Sequence, residues 1–538
     1  MEFLKAKDSK VVNAKGEEIL LKGFGLGGWL LPEGYMWKIK SDRPRKMEQL
    51  IDDLCGKEYS QYFWNEYRNR YITKEDIKLI AVNGYNSVRL PINSRNLFTK
   101  VEGEVKFIDD VLQYVDNAIE WCREFNIYVI LDMHGAPGGQ TGANIDDCEN
   151  DKPELFIDDQ NKRDLILMWK MLADRYQDEA CVAGYDLLNE PLPNWFNEYN
   201  NQVLPLYKDI TKAIREVDKK HMIILEGVHW DTDFSIFDPM EQDKFDDNLM
   251  FQFHKYWNNP DVESIEKFID YGKRFNIPLF MGEGGENSLP WYIGAFTMLR
   301  CANISYSFWS YKKMDNHNSP ITFNKPKRWD DLNDYIDGKV SLTKEEGVEI
   351  FNEFLACIGT SSVNEDVFRA IECQAPITIP AEYYSDYHAL KVREEGANVR
   401  LSDNISILYT NDHTRIDNPD YSTGSRDKDN TENTLCIKLH EKEWTSYNFA
   451  VTRDDEYTIK VCGKSELIDD NILVSSTNDN NINTNEITVS IGGILEINET
   501  LATNWETKVM NPIHLKKGNY QIKLLSHGNI FIQSLSIE

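Results

Sequence analysis

Eight short apolar runs, spread over the first 360 or so residues and separated by stretches of helical periodicity, constrain this chain more than any other feature. They are Ile19 to Lys22, Ser87 to Leu90, Ile127 to Leu131, Ala183 to Leu188, Met222 to Leu225, Leu249 to Phe253, Pro278 to Met281 and Ser305 to Phe308. Near-continuous apolar strands of this kind belong in a parallel sheet covered on both faces. Between them, Val111, Val115, Ala118, Ile119 and Cys122 mark one face of a helix that ends at Phe125-Asn126. The Phe-Asn-Ile step recurs at Phe275-Asn276-Ile277, where Asn can serve as a left-handed cap before a strand. Strand and helix in this rhythm predict an α/β fold closed as a (β/α)8 TIM barrel. A doubly wound sheet is the competitor. It is disfavoured because the Gly-rich run Gly23 to Gly28 leads into Trp29-Leu30-Leu31-Pro32 instead of a helix start.

A barrel of this type carries its chemistry at the carboxyl ends of its strands. Two glutamates stand there: Glu190, where Ala183 to Leu188 runs into Asn189-Glu190-Pro191, and Glu283, where Ile277 to Met281 runs into Gly282-Glu283-Gly284. Cleaving an acetal needs one carboxyl held protonated and one held ionised, so two acids facing one cleft point to glycosidic chemistry. Other strand ends supply Arg89, placed to keep a neighbouring carboxylate ionised; His134; and Asn189, a donor for a sugar hydroxyl. His254 and Tyr256 alternate on the sixth strand, and a Tyr256 phenol donating to Glu283 would aim it. Trp309 closes the eighth as an aromatic platform for the apolar face of a pyranose. Core packing alone does not ask for polar or aromatic groups at six of eight strand ends.

At 538 residues the chain exceeds one ordinary core, and its texture changes near Gln374. The expected domains are a catalytic barrel over 1–373 and a β-sandwich of jelly-roll type over 374–538. Strands are expected at Trp444 to Val451, Tyr457 to Val461, Glu486 to Ile491, Ile513 to Leu515, Tyr520 to Leu525 and Ile530 to Ile537. The polar stretches Asn411 to Thr434 and Asp469 to Asn485 read as surface loops.

The formal charge of −30 disfavours nucleic acid and acidic polysaccharide as partners and leaves a neutral substrate the easier fit. Met1 to Lys5 starts no basic-then-apolar leader, no segment approaches a membrane span of ~20 apolar residues, and nine cysteines lack paired spacings. Together these predict a cytoplasmic protein with no membrane partner, or a secreted one if a leader has been removed. Oligomeric state is left open.

With those residues in view, the chain resembles a glycoside hydrolase of family 5, a clan A retaining β-glycosidase. Asn189-Glu190-Pro191 resembles the family's acid/base motif and Gly282-Glu283 its nucleophile strand, while Arg89, His134, His254, Tyr256 and Trp309 match its other active-site positions. Leu131-Asp132-Met133-His134-Gly135-Ala136-Pro137-Gly138-Gly139-Gln140 is most similar to the exo-acting β-1,3-glucanase branch. That branch carries Trp directly after its nucleophile, whereas Glu283 is followed by Gly284-Gly285-Glu286. The tail resembles carbohydrate-binding modules of families 6 and 35 at Ile379 to Tyr383, Glu443 to Tyr447 and Leu515 to Ile522. Such modules often hold a structural calcium; the acidic loops here lack EF-hand-like spacing.

The resemblance implies double displacement with retention on β-glucosides or β-1,3-glucan-type oligosaccharides, with Glu283 as nucleophile, Glu190 as acid/base and no metal or organic cofactor. The Glu190 proton affinity should rise because of the charge on Glu283, and the two carboxyls should lie roughly 5 to 5.5 Å apart rather than ~6.5 to 9.5 Å. The competing readings are an endo-β-1,4-glucanase or mannanase, a diglycosidase of plant-metabolite glycosides, and a catalytically silent carbohydrate-binding protein.

Overall fold

The computed structural model describes residues 1–421, 434–466 and 485–538. Most of the two polar stretches expected as loops lies outside the described residues; Asn411 to Tyr421 contains no strand.

Eight parallel strands close into a barrel in the spatial order β6-β7-β8-β1-β2-β3-β4-β5. They are β1 (Lys22–Gly25), β2 (Ser87–Asn93), β3 (Tyr128–Gly135), β4 (Val182–Asp186), β5 (Met222–Glu226), β6 (Leu249–Lys255), β7 (Leu279–Gly285) and β8 (Ser305–Trp309). The first strand starts at Lys22 and runs through the Gly-rich segment, whereas its apolar content placed it at Ile19 to Lys22. The cause is steric. A Cβ on Gly23 would stand 1.9 Å from the Ser87 carbonyl oxygen, so only glycine lets β1 approach β2 here.

Along the barrel axis the inward positions change character. Ile130, Ala183, Met222, Ile224, Met250 and Phe280 form an apolar layer, joined by Leu4, Val11 and Leu21 from the N-terminal segment. One step of the strand period further on, Ile130 gives way to Asp132, Ile224 to Glu226, and Met250 to Gln252, all completely buried. The apolar layer contributes the burial energy, and it supports a charged layer that does not.

The chain divides into two compact units. One holds Met1–Tyr256, Lys267–Gly285 and Ile304–Asn364; the other holds Trp257–Glu266, Glu286–Asn303 and Glu365–Glu538. A single cut at 373/374 therefore does not describe them. The helix Leu289–Cys301 explains part of the difference: Trp291 to Leu299 are all buried, as in a helix apolar around its whole circumference. Within the second unit it contacts the helix Glu365–Glu372, and a Cβ on its Gly294 would meet the Tyr383 ring at 2.7 Å.

The second unit is a pair of antiparallel sheets. One has the order β11-β12-β19-β14-β17 with β9 added on β19, and the other β10-β13-β18-β15-β16. These are β9 (Ile377–Pro380), β10 (Asp386–His388), β11 (Ser406–Tyr409), β12 (Leu435–Leu439), β13 (Trp444–Val451), β14 (Ile459–Ser465), β15 (Glu486–Ile491), β16 (Leu495–Thr500), β17 (Glu506–Val509), β18 (Gly518–Ser526) and β19 (Ile530–Ile537). The run expected as one strand from Tyr457 to Val461 is split: Asp455–Tyr457 pairs with Ile513–Leu515, while β14 pairs with β19. No helix among the described residues is long and apolar enough to cross a membrane.

Candidate active site

Arg89 stands at the centre of the charged layer, completely buried. Its position on β2 points the guanidinium into the barrel, where four carboxylates meet it. Nε donates to Asp186 at 2.7 Å, Nη1 to Glu283 at 2.6 Å and Nη2 to Glu226 at 2.9 Å, with Asp132 at 3.2 Å from Nη2. Nη2 also donates to Asn189 Oδ1 at 2.9 Å. Arg89 is thus a buried hub under the site, not a residue of the mouth. Its planar fork suits several acceptors at once.

Glu283 lies within a register irregularity between Met281 and Gly284 in the pairing of β7 with β8. Gly282 makes room beside it, since a Cβ there would fall 2.0 Å from the Gln252 amide carbon. Both Glu283 oxygens accept hydrogen bonds, Oε1 from Arg89 and Oε2 from the Tyr256 phenol at 2.7 Å. Two donors on one carboxylate suit the anion that a nucleophile requires.

Glu190 lies just past β4 with a left-handed φ of 42°, held by a hydrogen bond from its backbone N–H to Glu226 Oε2 at 2.6 Å. Its Oε1 accepts from His254 Nδ1 at 2.6 Å. Burial pushes its carboxyl up to about 7, against smaller lowering contributions from His134 and Arg89. The expected cause, repulsion by an ionised Glu283, is not among these contributions. Desolvation does the work instead.

His254 links the two acids, its Nδ1 at 2.6 Å from Glu190 Oε1 and 3.6 Å from Glu283 Oε2. Burial lowers it to about 3, so the ring is neutral. Gln252 Nε2, 3.1 Å from His254 Nε2, supplies the donor that fixes the tautomer with its proton on Nδ1. His134, lowered by burial to about 4, donates from Nδ1 to Asp132 at 2.8 Å. Its Nε2 faces Asn189 Nδ2 at 3.4 Å.

Trp309 is 3 % exposed. Its ring is stacked on His134 at 5.3 Å between centroids, and its Nε1 donates to the Tyr35 hydroxyl at 2.9 Å. Gly25 and Gly27 press on it so closely that a Cβ on either would fall 2.5 or 2.7 Å from ring atoms. The ring expected as an aromatic platform is thus flanked by His134 and by the backbone at Gly25 and Gly27.

The eight residues singled out in the sequence lie in the barrel unit, joined by the contacts above. Sequence reasoning missed Asp132, Asp186, Glu226, Asp231 and Gln252. Burial raises Asp132 to about 7 and Asp186 to about 6, and holds Glu226 and Asp231 well above the carboxylate range. The signal was present as lone polar residues at period 2 inside apolar strands, Asp132 with His134 and Gln252 with His254. Ligand atoms of Glu190, His254 and Glu283 lie within 4.8 Å of one another, and so do those of Glu226, Asp231 and His254. Either trio has donors of the type a divalent ion accepts.

Residues 53–315 match the family model described as cellulase, glycosyl hydrolase family 5. A β-xylosidase of Phanerodontia chrysosporium is 29% identical over 256 residues, covering 48% of this chain and 52% of the relative. A probable glucan 1,3-β-glucosidase A of Emericella nidulans is 30% identical over 259 residues, covering 46% and 61%. Endoglucanase C of Acetivibrio thermocellus is 25% identical over 315 residues, covering 47% and 88%. The chain spans about half the length of the first of these and less than two thirds of the second.

Proposed function

With its barrel carrying a glycosyl hydrolase family 5 domain over residues 53–315, we propose that this chain is a retaining β-glycosidase acting on β-linked glucosides or short β-1,3-glucan-type oligosaccharides. The observation that carries the reading is the approach of Glu190 and Glu283, whose oxygens come within 4.8 Å across His254. That closeness is nearer the separation typical of retaining enzymes, ~5 to 5.5 Å, than the ~6.5 to 9.5 Å typical of inverting ones.

In the first step Glu283 attacks the anomeric carbon, and Glu190 gives its proton to the departing glycosidic oxygen. A glycosyl ester on Glu283 results. In the second, Glu190 takes a proton from water, which attacks the anomeric carbon and releases the sugar. Arg89 and Tyr256 hold Glu283 between the steps. The chemistry uses carboxyl groups alone.

Similarity to a glucan 1,3-β-glucosidase supports glucose in the reacting position. The reacting carboxyls are buried, Glu190 at 9 % and Glu283 at 4 % exposure, which shields the glycosyl ester from bulk water. Nine unpaired cysteines support a reducing compartment, with the cytoplasm as its place.

The test is Glu283→Gly with an aryl β-glucoside. Turnover should vanish and return with azide, giving the α-glucosyl azide because azide enters from the vacated face. Undiminished turnover, or inactivity without rescue, would remove Glu283 from this role.

A further inference from the structure

We propose that Glu226, the last residue of β5, is a positioning residue for Glu190: one of its oxygens holds the Glu190 backbone, and the other orients the side chains that hold the Glu190 carboxyl. The proposal rests on the glycosidase reading, in which Glu190 is the acid. It gives Glu226 a task in that reaction beyond balancing the charge of Arg89.

The direct route runs through the backbone. Glu190 has a φ of 42°, a left-handed conformation that an L side chain adopts at a cost and keeps only where its surroundings impose it. Its N–H donates to Glu226 Oε2 at 2.6 Å. The neighbouring residues of the turn are tied to Gln140 instead: Gln140 Nε2 donates to the Asn189 carbonyl at 3.0 Å, and the Leu192 N–H donates to the Gln140 carbonyl at 3.2 Å. Without Glu226 the Glu190 peptide loses its own anchor, and a relaxed φ would swing the Cα–Cβ bond and the carboxyl with it.

The second route runs through side chains. Glu226 Oε1 accepts from Arg89 Nη2 at 2.9 Å and from Gln252 Nε2. An acceptor there keeps the NH2 end of Gln252 turned inward, and the same nitrogen lies 3.1 Å from His254 Nε2. His254 then donates from Nδ1 to Glu190 Oε1 at 2.6 Å. Three donors therefore converge on the two oxygens of one completely buried carboxyl group. A counter-charge for Arg89 would need Oε1 alone, yet Oε2 is given to the Glu190 backbone. An amide at this position would direct an NH2 group at one of the three donors, so Glu226→Gln keeps size and shape while breaking a route.

The test compares kcat/KM, which covers the steps up to departure of the leaving group, on two substrates. Phenyl β-glucoside needs a proton from Glu190 to depart, and a dinitrophenyl β-glucoside does not. Glu226→Gln should lower the value for the phenyl glucoside at least about tenfold more than that for the dinitrophenyl glucoside. In a chain already carrying Glu190→Gln the same substitution should produce no such difference, because the group it acts through is gone. If Glu226→Gln does not fold, Gln252→Met, which breaks the second route alone, should show a difference in the same direction. Equal losses on the two glucosides in the variant that folds, or a difference that persists without the Glu190 carboxyl, would overturn the proposal, since a merely structural role would depress both substrates alike. Turnover of the dinitrophenyl glucoside by the unaltered chain tests the glycosidase reading; the comparison between the glucosides tests Glu226.

Discussion

The phenol of Tyr256 donates to Glu283 Oε2 at 2.7 Å, on the carboxylate whose other oxygen is held by Arg89. The bond fixes the rotation of the Glu283 carboxylate. Tyr256→Phe removes the donor and keeps the ring. A hydrogen bond to a charged group contributes about 1.5 to 3 kcal/mol, so kcat on an aryl β-glucoside should fall roughly 10- to 150-fold with little change in fold. Steady-state kinetics with a circular dichroism control measure this; an unchanged kcat would mean the phenol does not steer Glu283.

Glu190 should set the alkaline limit of activity. Burial holds its carboxyl at about 7, and a general acid works only while protonated, so kcat/KM should be level below that pH and fall above it. Glu190→Gln should slow an aryl glucoside with a poor leaving group by roughly 10² to 10⁴ and abolish that limb. A dinitrophenyl glucoside, which needs no proton on departure, should lose far less in its first step. If the limb survives in the Gln variant at the same midpoint, it belongs to another group, with Asp132 at about 7 the first to examine.

Much of this site was legible because strand periodicity and chemistry coincide. Glu190 and Glu283 stand where apolar runs end, and His254 and Tyr256 share a face by alternation. The layer below was harder to read. Asp186 and Glu226 are the last residues of β4 and β5, each beside an apolar neighbour. Nothing local says that their common partner is Arg89, 97 and 137 positions away. Barrel closure creates that contact, and a linear pattern does not contain it. The same holds for β1, whose identity depends on how near Ser87 comes.

That closeness makes Gly23 a sharp test of the barrel. A Cβ would meet backbone atoms of Ser87 at 1.9 and 2.5 Å, and neither can move without opening the pairing of β1 with β2. Gly23→Ala should cost more than about 4 kcal/mol or prevent soluble expression. Gly103→Ala is the control: its φ is 86° and nothing lies within 4 Å of an added Cβ, so it should cost only roughly 1 to 2 kcal/mol. Urea unfolding of both variants gives the comparison, and equal losses would deny the close approach of the two strands.

The charged layer should also make stability fall as pH rises. Asp186 is raised to about 6 and Asp132 to about 7, in each case mainly by burial. A carboxyl with a raised folded-state value binds its proton more tightly in the folded chain than in the unfolded one. Its contribution is therefore complete below the unfolded value near 4, and it is lost as pH climbs through about 6 to 7. Replacing Asp186 by Asn removes one such proton while keeping an oxygen for Arg89 Nε to reach. Between pH 5 and 8 the variant should lose about 1 to 2 kcal/mol less unfolding free energy than the parent, whatever its stability at pH 5. Denaturant titrations at the two pH values measure that difference. Parallel losses would show that Asp186 already shares its charge with Arg89 throughout the range.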